Sequence, residues 1–70
     1  MKRTAVLKKL KREAKACGLG YGTREGTRHT IVTVGSTSRT LGRHSEIAEG
    51  TAAAFFDQFA EELGKGWWRR

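Results

Sequence analysis

The chain has 70 residues, of which 37% are hydrophobic and 30% charged, with no proline and a formal net charge of +7. This is the composition of a small folded domain and not of a disordered tail. A chain this short buries only about 60% of its unfolded surface and must have a small core. Fourteen lysines and arginines against seven acids favour polyanionic partners, nucleic acid first; a membrane span is excluded, since charges interrupt every apolar run before about 18 residues.

From Lys2 to Cys17 the apolar residues Val6, Leu7, Leu10, Ala14 and Cys17 recur at helical spacing, while Lys8, Lys9, Lys11, Arg12 and Lys15 fill much of the remaining wheel. The spacing predicts a basic amphipathic helix stopped by Gly18. Lysines return after Leu7, so "MKRTAVLKKLKREAK" does not develop the apolar stretch of a signal peptide. Cys17 is the only cysteine, which rules out an intrachain disulfide and points to a reducing, cytoplasmic setting.

From Leu19 the period shortens to two. Leu19, Tyr21 and Thr23 can share one side of a first strand, and Thr30, Val32 and Val34 one side of a second, with Glu25 and Gly26 as the turn. "GSTS" at 35–38 forms a further turn, and Arg39 to Leu41 return as a short third strand. In "AEGTAAAFFDQFAEELG", Ala52, Phe55, Phe56, Phe59 and Leu63 form the apolar stripe of a last helix that Gly64 ends, with 64–70 as a short basic aromatic extension. The expected fold is α+β: helix, three antiparallel strands, helix, in a single domain over 1–70 with both helices on one face of the sheet.

Two site types are disfavoured. "GLGYGTREG" follows a helix and enters a strand, the reverse of the setting a phosphate-binding loop needs. Cys17, His29 and His44 lack the close pairing of a zinc site, so no metal or other cofactor is expected.

His29 begins the second strand, and alternation places it opposite Thr30, Val32 and Val34. If the valines face the helices, His29 faces the open side, where an imidazole can exchange protons with a ligand near neutral pH. The alternative is an exposed strand histidine with no role. Arg24, Arg28 and Arg43 are candidate phosphate-binding cations, Arg28 foremost, because a guanidinium clamps phosphate bidentately. Lys8, Lys11 and Arg12 of the first helix can track RNA phosphates or simply be solvated. His44, beside the corner into the last helix, reads as structural rather than as a second proton carrier. Of Trp67 and Trp68, one is expected to cover the core, leaving the other to stack on a base or a partner.

"REGTRHTIV", followed by "GRHSEI" and "GTAAAFFDQFAEEL", resembles the small toxins of the HicA family, the partners of HicB antitoxins in bacterial toxin-antitoxin modules. The likeness runs from about Thr4 to Leu63. It implies a double-stranded-RNA-binding-domain-like fold and a metal-independent endoribonuclease that cleaves mRNA, inhibited by a HicB-like antitoxin. It also implies that His29 is catalytic, with Gly26 and Thr27 as the supporting turn ahead of it. Arg28 stands where many relatives carry a small polar residue, and Gly42 where many carry proline. Two other readings stay open: an RNA-binding module that does not cut, and an inactive toxin that retains antitoxin binding.

Overall fold

A computed structural model describes residues 1–69 of the chain; Arg70, which the sequence reading counted in the basic extension, lies outside the described residues. The elements are α1 (Arg3–Ala16), β1 (Tyr21–Glu25), β2 (His29–Val34), β3 (Thr37–Gly42), α2 (Glu49–Asp57), α3 (Ala60–Leu63) and a final 3₁₀ turn, Trp67–Arg69. The strands form one open antiparallel sheet in the order β1-β2-β3, so the fold is the expected small α+β arrangement.

One core joins the helices to one face of the sheet. Val6, Leu10 and Ala14, each four residues apart, bury the inner stripe of α1 against Val32, Val34 and Leu41 of the sheet and Ala52, Phe55, Phe56 and Phe59 of the α2–α3 segment. Thr30 is buried on the same face, whereas the intervening His29 is exposed and Ile31 and Thr33 are only half-buried, as period-two alternation requires. Cys17 departs from the helical pattern: α1 ends at Ala16, and Cys17 serves as its exposed cap.

Three further details differ from the sequence reading. Glu25 belongs to β1, and the turn is the segment 26–28. The second turn is only 35–36, so β3 is longer than Arg39 to Leu41; as an edge strand with few apolar residues it gives little alternation to read. The last helix is broken. Phe59 adopts φ −103°, ψ 16°, and Gln58 and Phe59 donate to carbonyls only three residues back, Phe55 and Phe56. Trp67 compensates at the break: its indole N–H donates to the Phe56 carbonyl at 2.9 Å while its ring packs edge-on to Phe56, with centroids 5.0 Å apart.

Glu62 on α3 braces the β2–β3 turn. Its Oε1 accepts from the Ser36 hydroxyl at 2.9 Å, the Ser36 backbone N–H at 3.3 Å and the Thr37 hydroxyl at 3.1 Å. The hydrogen bonds from Ser36, chiefly from its hydroxyl, hold the carboxyl below the usual glutamate range against an opposing effect of desolvation; Thr37 adds to the lowering.

Candidate active site

The candidate site lies on the face of the sheet that the helices leave open, and its geometry follows from the register. Arg24 pairs with Ile31 and Ile31 with Thr40; Thr33 pairs with Ser38, and His29 with Gly42. Residues directly opposite one another share a face, so Arg24, His29, Ile31, Thr33, Ser38 and Thr40 project to the same side. His29 is exposed and forms one wall of a shallow depression with Gly26, Thr27, Arg28, Ile31 and Thr40. A second depression, which includes Arg24, Thr33 and Ser38, shares Ile31 and Thr40 with the first, so the two form a continuous surface. Thr33 and Ser38 hydroxyls meet at 2.8 Å across the strands.

The turn ahead of His29 is held tightly. The Gly26 N–H donates to the His29 carbonyl at 2.8 Å, and a Cβ on Gly26 would stand only 3.1 Å from that same oxygen, so the close approach favours glycine. Arg43 clamps the turn from the end of β3. Its Nε donates to Glu25 Oε1 at 3.0 Å, its Nη1 to the Thr27 carbonyl at 3.3 Å, and its Nη2 to the Gly26 carbonyl. Beneath the turn, the buried Thr30 hydroxyl donates to Glu25 Oε1 at 2.9 Å and accepts from Nη2 of Arg3, whose Nε donates to the Gly42 carbonyl at 3.2 Å. A polar chain thus runs from α1 through Arg3, Thr30, Glu25 and Arg43 to the carbonyls that precede His29.

The predicted cations therefore divide into three groups. Arg24 and Arg28 are exposed and make no ion pair among the described residues, Arg24 on the open face and Arg28 in the turn beside His29. Arg43 is occupied by the turn it clamps, and its role in the folded chain is positional. Lys8, Lys11 and Arg12 are exposed on α1, which packs on the covered face; Lys8 and Arg12 line a separate depression with Lys9 and Glu13. The fold does not bring this group beside His29.

Trp67 is the tryptophan that covers the core. Trp68 is half-buried, donates from Nε1 to Asp57 Oδ1 at 2.6 Å, and lies under the Arg69 guanidinium, 4.7 Å from the ring centroid. Sequence reasoning missed the Arg3–Thr30–Glu25 chain; the one available signal was a threonine on the inner face of a strand, a hydroxyl that must find a partner when buried. Among the described residues, no three His, Cys, Asp or Glu side chains converge as a metal site, and no helix is long and apolar enough to cross a membrane.

No protein-family model, curated protein or solved structure matches the chain.

Proposed function

We propose that the chain is a HicA-like mRNA interferase toxin, a metal-independent endoribonuclease with a double-stranded-RNA-binding-domain-like fold. It acts on mRNA in the cytoplasm and is restrained by a HicB-like antitoxin that covers its open face. The observation that carries this reading is His29: an exposed imidazole on the uncovered side of the sheet, at the end of a turn fixed by Gly26 and Arg43, with Arg28 beside it. The α-β-β-β-α order and the excess of positive charge support it further.

The chemistry is economical. Metal-free RNA cleavage needs a base for the ribose 2′-hydroxyl and positive charge for the crowded phosphate of the transition state. His29 supplies the base, Arg28 and Arg24 the charge. DNA is spared because it has no 2′-hydroxyl.

Induced expression tests the proposal. The parent protein arrests growth and depletes mRNA, while an equally abundant, folded His29→Ala variant does neither. A second reading, RNA binding without cleavage, draws on the exposed cations Lys8, Lys11 and Arg12 of α1, which lie away from His29. Identical behaviour of the two proteins would favour it.

A further inference from the structure

We propose that His44 is the general acid that protonates the leaving oxygen, as the partner of His29; the assignment rests on the ribonuclease reading and adds a second catalytic residue to it.

Gly42 is the cross-strand neighbour of His29. The His29 carbonyl accepts from Gly26 on the β1 side, and the Gly42 carbonyl accepts from Arg3, so neither carbonyl is directed to the other strand of the pair. This makes His29 and Gly42 a non-hydrogen-bonded pair, the kind with Cα atoms only about 4.5 Å apart and side-chain positions closest together. A residue at 42 would therefore place its Cβ beside His29, on the open face.

Glycine leaves that place empty, and apart from its chain neighbours the side chain nearest to it is the imidazole of His44, with Cδ2 at 3.6 Å from where the Cβ would be. The Cβ atoms of such a pair lie about 4.5–5.5 Å apart, so the place that His44 flanks is the one directly across the strands from His29, and His44 also lines a depression with Leu41, Ile47, Ala48 and Thr51. His44 is exposed and makes no side-chain hydrogen bond among the described residues. The neighbouring charges are already committed: Arg43 to the β1–β2 turn, and Glu46 to Lys2 and the amino terminus.

In the reaction, neutral His29 removes the 2′-hydroxyl proton as the 2′-oxygen bonds to phosphorus. Protonated His44 delivers its proton to the 5′-oxygen as the P–O5′ bond breaks. The products are a 2′,3′-cyclic phosphate and a 5′-hydroxyl, and water returns each imidazole to its starting state.

A leaving group that needs no proton separates the two roles. An RNA oligonucleotide is prepared in two forms, normal or with sulfur replacing the bridging 5′-oxygen at the linkage the parent cleaves, and both are given to the parent, His44→Ala, His44→Asn and His29→Ala. Circular dichroism and melting identify which His44 variant is folded, and that variant carries the test. The expected result is a loss of about 10²- to 10⁴-fold for the His44 variant on normal RNA, with cleavage of the sulfur-bridged RNA restored to within about tenfold of the parent. His29→Ala is impaired on both. A folded His44 variant that matches the parent on normal RNA, or that is slowed equally on both substrates, overturns the assignment while the ribonuclease reading stands. A parent that cuts neither substrate overturns both.

Discussion

Gly35 is bound by two constraints at once. It closes the β2–β3 turn at φ +59°, and a Cβ there would stand 2.5 Å from Oε2 of Glu62. A side chain in this left-handed region costs about 1–2 kcal/mol, and the Glu62 carboxylate must also move. Gly35→Ala is therefore expected to destabilise the fold by at least that amount, measured as a lowered midpoint of urea unfolding; an unchanged midpoint would show that the turn does not depend on glycine. Single residues also show how far the sequence could be read. The outward face of His29 was legible, because alternation with Thr30, Val32 and Val34 fixes it locally. The task of Arg43 was not, because it depends on Glu25, 18 positions away, and on two carbonyls whose direction only the folded turn decides. His44 was read as structural from its place in the chain; that Gly42, two residues before it, stands opposite His29 depends on the strand register, which chain order alone does not give.

Among the elements, the contact between α3 and the β2–β3 turn depends on pH through Glu62. Glu62 is held below its ordinary value of 4.5, so the carboxylate binds its proton more weakly in the folded chain than in the unfolded one. Its contribution to stability is present above the ordinary value and is lost as the pH falls through the lowered one. Urea unfolding of the parent and of Glu62→Gln across this range should show an advantage for the parent at neutral pH that disappears in acid. An advantage that persists unchanged in acid would contradict the brace. The apolar stripe of the last helix was readable because Ala52, Phe55, Phe56, Phe59 and Leu63 all reach the core. The break between α2 and α3 was not: no glycine or proline marks it, and Trp67, which takes up the Phe56 carbonyl, comes from beyond the helix.

Over the whole molecule, the arrangement separates a packed face of the sheet from an open one. The helices and the inner face of the sheet supply a core in which Phe59, Leu10, Val6, Val32 and Val34 are fully buried, and the open face is left to His29, Arg24, Ile31 and small hydroxyl side chains. Several acids are drawn into contacts within the chain, Glu25 with Arg43, Glu46 with Lys2 and Glu62 with the β2–β3 turn, while Lys8, Lys11, Arg12, Arg24 and Arg28 remain exposed. The net positive charge is thus presented outward, as attraction to a polyanion requires. The most direct measurement of the central claim uses purified protein, an end-labelled mRNA fragment and excess chelator, with the parent and His29→Ala compared side by side. The parent should yield shortened RNA with 2′,3′-cyclic phosphate and 5′-hydroxyl ends, and a folded variant should cleave at least about 100-fold more slowly. RNA that is bound but never shortened by the parent, or cut equally by both proteins, would contradict it.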